Sequence, residues 1–322
     1  MFTHKDIEFR SIFVVNCIEN RTLRVSAGEL LLENTESNET LTKLPFQKIL
    51  AIFVIGHVSI TTPLIDKCTK YGIPIIVMKP NLRPVFCYSV TAEANFLLRE
   101  KQYAYSKENL LLPKVLVENK IENQIRLLIK TRIRTAEFEK TKSQCKDYLI
   151  LLNESDTYEK VMGIEGKASR IFFTAFFAEQ GWKSRHPRIK SDPLNATLDI
   201  GYTLLFNYIE AFVRLFGFDP YRGVYHQLWF KRKSLICDLM EPFRCIIDYQ
   251  VRKAFNLGQC NVGDFLVKQG EYQLKREKSP QYTQMFYNEL IKHKAAVFEY
   301  IRQFYRCFMQ DKRAIDYPRF YI

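Results

Sequence analysis

No two cysteines are spaced as CxxC, although eight occur, at positions 17, 68, 87, 145, 237, 245, 260 and 307. No His–Cys spacing resembles a zinc module either. The cysteines therefore read as small buried hydrophobes in a reducing compartment, not as a disulfide framework. The first residues, MFTHKDIEFR, contain no signal-peptide apolar run. Apolar stretches such as ILAIFVIGHVSI are too short and too interrupted to span a bilayer. A GxxxxGK phosphate loop is missing, so nothing points to ATP-driven chemistry. There is no internal repeat, low-complexity tract or long linker. These absences predict a soluble, cytoplasmic protein without a membrane partner.

What is present bounds the answer further. The 322 residues suffice for two ordinary domains, and an apolar fraction of 47% supports substantial cores. Lysine and arginine total 48 against 35 acidic residues, a net charge of +13. That excess favours a polyanionic partner, since each phosphate neutralised releases counterions.

The first ninety or so residues read as β-rich. Apolar runs at 10–16 and 23–32 are separated by Asn20 and Gly28, and the polar ENTESNET turns the chain before a longer run at 49–60. Residues 61–71 have helical periodicity, with Gly72 as the stop. Strands are predicted at 73–78 and 85–90, joined by KPNLRP. The second part is helical: Ile121, Ile125, Leu128 and Ile129 share a face, and helical runs follow through 164–181, 194–216 and 286–309. In the last, Phe298, Ile301, Tyr305 and Phe308 keep helical spacing. The expectation is an α+β protein, with an N-terminal β-sandwich-like domain over residues 1–95 and a larger all-α catalytic domain over 96–322.

Three metal-capable side chains stand in otherwise core-like stretches: Glu165 in VMGIEGKASRIFF, His226 in GFDPYRGVYH and Asp238 in SLICDLMEPFR. An isolated buried carboxylate is costly, so such groups need partners. Each has a plain structural reading: Glu165 as an exposed residue at a helix start, His226 as a hydrogen-bonded loop residue, and Asp238 in a salt-bridge cluster with Glu241 and Arg244. Together, two carboxylates and an imidazole suit Mg²⁺ or Mn²⁺. Pro242 either weakens a helix that runs through Asp238, to whose carbonyl it cannot donate, or marks the first turn of a new helix.

The three blocks EGKAS, GFDPYRGVYH and SLICDLMEPFR, in this order, resemble the motif blocks of the CRISPR-associated spacer-acquisition integrase family, Cas1. SDPLNATLDIGYTLL between them and GHVSITTPLIDKCTKYGIPIIVM near the start are similar to segments of the same family, so the resemblance covers nearly the full length. It implies that Glu165, His226 and Asp238 are both catalytic and metal-binding, holding Mg²⁺ or Mn²⁺, with Glu241 as an outer partner. It also implies that the chain inserts spacers by attack of a DNA 3′-hydroxyl on a phosphodiester. The partners implied are double-stranded DNA, a second copy in a homodimer, and a small Cas2 subunit. Cys245 replaces a proline common in the family, and Leu235 stands where some members carry an acidic residue. A nuclease cleaving branched or single-stranded DNA, and a non-catalytic DNA-binding subunit, are the alternatives.

Candidate DNA contacts are Arg185, Arg188 and Lys190 in KSRHPRIK, then Lys231, Arg232, Lys233 and, beside the proposed metal, Arg244. A solvated charged face is the competing reading of these clusters. Aromatic residues suit stacking on splayed DNA ends, but their abundance singles out none of them. The aromatic C-terminus AIDYPRFYI reads equally as a docking strand or as the end of the fold.

Overall fold

The computed structural model describes residues 4–17, 20–80, 82, 84–89, 95–106, 108–187 and 189–322. Among the described residues, the short helix α1 (His4–Phe9) is followed by seven strands in two sheets. Strands β1 (Ser11–Cys17), β2 (Arg21–Ser26), β3 (Glu29–Asn34), β4 (Thr40–Pro45) and β5 (Ile49–Gly56) precede helix α2 (Thr62–Tyr71). Strands β6 (Ile75–Met78) and β7 (Pro84–Tyr88) follow it. One sheet has the order β1-β5-β6-β7 and the other β2-β3-β4.

Local chemistry accounts for this arrangement. Every residue of β5 is buried, as expected of a central strand covered on both faces. It runs parallel to β1 and β6, and parallel neighbours require a crossover, which α2 supplies. Gly72 ends α2 in the left-handed region at φ +65°, its N–H reaching the carbonyls of Cys68 and Thr69. Leu64 and Cys68, one turn apart on α2, bury against a core shared by Leu23, Leu30 and Leu32 of one sheet and Ile52 and Val54 of the other. The sandwich-like N-terminal expectation is met. The apolar run 23–32 is two strands: Ala27 and Gly28, at φ +49° and +80°, make a two-residue hairpin turn pairing Ser26 with Glu29. Strand β4 was not expected; half of its six residues are exposed and none is buried, so it carries little of the alternation that marks a buried strand.

The helical part comprises α3 (Phe96–Ala104), α4 (Leu111–Lys130), α5 (Ala136–Glu154), α6 (Tyr158–Phe176), α7 (Pro193–Phe216), α8 (Ser234–Met240), α9 (Arg244–Asn256), α10 (Ser279–Lys292) and α11 (Lys294–Met309). The predicted helix 286–309 is interrupted at His293, and a hairpin of β8 (Phe265–Lys268) and β9 (Glu271–Leu274) interrupts the helices. Ile129 does not share the burial of Ile121, Ile125 and Leu128. Among the described residues no helix is long and apolar enough to cross a membrane.

The chain divides into two compact units that do not follow sequence order. One combines residues 1–102 with 207–219 and 291–302; the other holds 103–206, 220–290 and 303–322. All three proposed site residues belong to the second. There α4 is a buried spine whose Asn119 and Asn123 donate side-chain N–H bonds to the Phe320 carbonyl at 2.8 and 2.9 Å. Asn123 also donates to the Pro242 carbonyl at 3.0 Å, and the rings of Phe320 and Phe243 lie 4.7 Å apart. The aromatic C-terminus is thus packed on the helices that carry the site.

Candidate active site

Glu165 lies eight residues inside its helix and not at the start. The helix begins earlier because the Thr157 hydroxyl caps it, accepting the Lys160 N–H at 3.3 Å. The dipole reading of Glu165 is thereby removed, and its carboxylate has specific partners instead. The Lys120 ammonium pairs with one oxygen, and the Tyr225 hydroxyl donates to the other at 3.1 Å. Lys120 also pairs with Glu241 at 2.7 Å, so one buried ammonium joins carboxylates from α6 and from the turn after α8.

Asp238 is wholly buried on α8 and surrounded by donors. Its Oδ2 accepts the backbone N–H groups of Val224 (2.7 Å) and Tyr225 (3.0 Å). Its Oδ1 accepts the His226 backbone N–H at 2.8 Å and pairs with His226 Nδ1 at 2.7 Å. A carboxylate offers about four lone-pair directions, and all are used here. Three consecutive N–H groups and an imidazole thus fold the loop 224–226 around one side chain. Because a carboxylate only accepts, Nδ1 carries the proton, and in the neutral ring Nε2 is left as the acceptor.

Tyr225 ties these pieces together: its hydroxyl reaches Glu165 while its backbone N–H reaches Asp238. Glu165, His226 and Asp238 are therefore brought to one place. In this arrangement, however, no three His, Cys, Asp or Glu side chains among the described residues form a group able to hold a metal ion. The physical reason is plain at Asp238, whose oxygens are occupied and shielded. Glu165 and His226, with side chains 19% and 21% exposed, are the accessible donors, and Lys120 already places a cation against Glu165. A carboxylate and an imidazole nitrogen suit a hard divalent ion, with Asp238 orienting the imidazole from behind.

Pro242 falls in a 3₁₀ turn, Glu241–Phe243, that opens α9, the second of the two readings the sequence allowed. Glu241 pairs with Arg244 at 2.8 Å, although the alignment is that of an ion pair and not of a hydrogen bond. Burial alone would raise the Glu241 pKa, but the Arg244 guanidinium and Lys120 ammonium outweigh it and hold the carboxyl down at about 2. Lys120 stays charged for the converse reason: burial opposes its charge, and Glu165 and Glu241 together more than restore it. The salt-bridge cluster is thus Lys120, Glu165, Glu241 and Arg244, and Asp238 is not in it.

Next to His226 a cavity of about 510 Å³ is lined by Tyr105, Tyr158, Gly223 and Gln227 among others. Behind Arg244 lies a second buried set. Its guanidinium sits 4.6 Å from the Tyr202 ring, and the Tyr202 hydroxyl donates to Asp248. Burial pushes the Asp248 carboxyl up to about 7.

The expected DNA-contacting residues divide. Arg185 is engaged within the protein, reaching Asn195 at 2.8 Å and Asp199 at 2.5 Å. Arg244 is likewise committed to Glu241 and Tyr202. Arg188 lies outside the described residues. Lys190 is half-buried, Lys231 exposed, and Arg232 and Lys233 half-buried in the loop before α8. Sequence reasoning did not find Lys120, Tyr225, Tyr202 or Asp248. Lys120 looks like any surface lysine of an amphipathic helix, and only its burial beside two carboxylates distinguishes it.

Known proteins agree with the motif blocks. The family model described as "CRISPR associated protein Cas1" matches residues 17–288. The chain belongs to the Cas1 family. It is 32% identical over 233 residues to a CRISPR-associated endonuclease Cas1 of Thermodesulfovibrio yellowstonii, covering 67% of this chain and 72% of that one. A Thermus thermophilus Cas1 endonuclease is 28% identical over 292 residues, 87% of this chain and 86% of the relative. Among solved structures, the Cas1 protein of Thermotoga maritima superposes with a TM-score of 0.77 at 20% identity, over 92% of this chain and 97% of that one. A casposase bound to integration product gives 0.76 at 19% identity, over 94% and 91%. A Cas6-RT-Cas1–Cas2 complex gives 0.79 at 19% identity, where this chain covers 97% of itself but 36% of the longer chain. These structural likenesses establish the Cas1 fold.

Proposed function

We propose that this Cas1 family member is a metal-dependent DNA integrase that adds spacers to a CRISPR array, using Glu165, His226 and Asp238. The observation that carries the reading is the convergence of these residues around Tyr225 in a chain of net charge +13. The relatives named endonucleases and the fold likeness to a casposase bound to integration product support a nuclease or integrase chemistry.

In the reaction a DNA 3′-hydroxyl attacks a phosphodiester, a new P–O ester bond forms, and the bond to the displaced 3′-oxygen breaks. One ester replaces another, so no ATP is consumed. A Mg²⁺ or Mn²⁺ ion held by Glu165 and His226 would supply Lewis-acid activation of the phosphate and of the hydroxyl. Asp238 anchors the imidazole, and would have to give up its bond to Nδ1 to hold the ion itself. Its bond to Nδ1 sets the tautomer that leaves Nε2 as acceptor. The Tyr225 hydroxyl orients Glu165, and Lys120 fixes Glu165 relative to Glu241. The nucleophile arrives on the DNA, so no serine, cysteine or tyrosine of the chain needs activation. With water in place of the hydroxyl the same site cuts DNA, consistent with the relatives' endonuclease names.

The proposed assembly is a homodimer on double-stranded DNA with a Cas2 subunit; fold likeness to a Cas6-RT-Cas1–Cas2 complex supports the Cas2 partner, and that to a casposase bound to integration product supports DNA. Lys190, Lys231, Arg232 and Lys233 are proposed to hold the DNA backbone. The test is strand transfer of a short duplex into a repeat-bearing plasmid with Mg²⁺ or Mn²⁺ and the partner subunit. Joined products that disappear with Asp238→Ala and His226→Ala are expected. Full activity in either variant rejects the site; shortened strands without joined ones favour a nuclease.

A further inference from the structure

The loop that leaves the site carries two bare aromatic rings. Trp229 is 75% and Phe230 83% exposed, three and four residues after His226. Burying an aromatic ring is among the larger apolar gains available to a folded chain, so two adjacent rings left in water need an occupant. The loop is not loose. The Arg232 N–H donates to the Trp229 carbonyl at 2.9 Å, closing a tight turn. At its base the Ser234 hydroxyl donates to the Gln227 carbonyl at 3.1 Å. Lys231 sits at φ +62° with its ammonium 5.1 Å from the Phe230 ring centre. The structure thus holds the rings out on a braced turn with basic residues beside them.

We infer that Trp229 and Phe230 stack on unpaired nucleobases at the end of a DNA strand, setting that strand's reacting end against His226. The inference rests on the integrase or nuclease reading of the site. Charge complementarity selects nucleic acid as occupant: Lys231, Arg232 and Lys233 follow the rings directly, within a chain of net charge +13. Continuity with the site selects the place, because the same loop begins at the imidazole. Stacking selects the form, because a base inside a duplex has both faces covered whereas a frayed or single-stranded base offers one. No base sequence is read, since every base has a π face.

The test uses the full chain, with a duplex bearing a short single-stranded 3′ extension and a blunt duplex of equal length. Trp182, the other tryptophan, is stacked at 5.1 Å on Phe173 and at 5.6 Å on Phe177, so a quenching signal on adding DNA is expected to come from Trp229. Fluorescence should fall with the extended duplex, and the fall should vanish in Trp229→Phe while binding persists. Trp229→Ala/Phe230→Ala should weaken binding of the extended duplex about tenfold or more and leave blunt-duplex binding within about twofold. Equal affinity of the double variant and the parent for extended DNA overturns the inference while leaving the integrase reading intact. Equal losses for both duplexes also overturn it. If the variant instead loses self-association in sedimentation and no DNA discrimination, the rings are a protein contact and the inference fails. If the parent chain binds neither duplex, both readings fall together.

Discussion

Gly223 stands where Asp238 leaves no room for a side chain: an added Cβ would lie 2.7 Å from Oδ2 and 2.8 Å from the Ser234 Cβ. The glycine is required by this close approach, which lets the next three residues present their N–H groups to the carboxylate. Gly223→Ala should displace Asp238 or the loop, remove strand transfer and lower stability by about 1–3 kcal/mol. Urea unfolding beside the joining assay checks this. Unchanged activity would mean that the nest around Asp238 is not needed.

Tyr225→Phe separates the two jobs of that residue. The ring and the backbone N–H to Asp238 remain, while the bond to Glu165 is lost. Stability should fall by no more than about 1.5 kcal/mol. Joining should slow by more than tenfold if Glu165 must be held in place. A rate within twofold of the parent would leave the hydroxyl without a role.

Lys120 is buried between Glu165 and Glu241, and removing it takes a buried cation from both carboxylates. Lys120→Met should cost about 3–5 kcal/mol. Glu241 keeps Arg244, so adding Glu241→Gln should restore only part of that loss. A double-mutant cycle by urea unfolding measures the coupling, and additive effects would show that the ion pair at 2.7 Å contributes nothing.

Asp248 gives a pH signature. Its carboxyl, ordinarily near 3.8, is pushed up to about 7 by burial. A raised acid is better protonated in the folded state, so its contribution to stability is fully present below about pH 4 and is lost as pH rises to about 7. The parent should therefore lose stability over this window relative to Asp248→Asn, by a few kcal/mol at most. Unfolding curves at pH 5 and pH 8 that move in parallel for both proteins would count against it.

Legibility in the sequence varied from element to element. The helix 62–71 and its stop were plain because Pro63, the apolar spacing and Gly72 are neighbours along the chain. The hairpin at Ala27–Gly28 was half legible: Gly28 punctuated the run 23–32, but Ala27, also left-handed at φ +49°, is not a residue type that marks such a position. Arg185 and Arg244 were singled out by charge, and their ion pairs with Asp199 and Glu241 could not be read there, because charge alone says nothing about who sits opposite.

For the site, the motif blocks alone identified the family and singled out Glu165, His226 and Asp238, since residue types at short spacing are local information. Only the folded chain decided that Asp238 is enclosed by three N–H groups and an imidazole, and that Lys120 bridges two acids. Those arrangements join residues 12 to 14 positions apart around Asp238, and 45 to 60 apart around Glu165. Separations of that size are closed by packing of whole helices, which no stretch of neighbouring residues encodes.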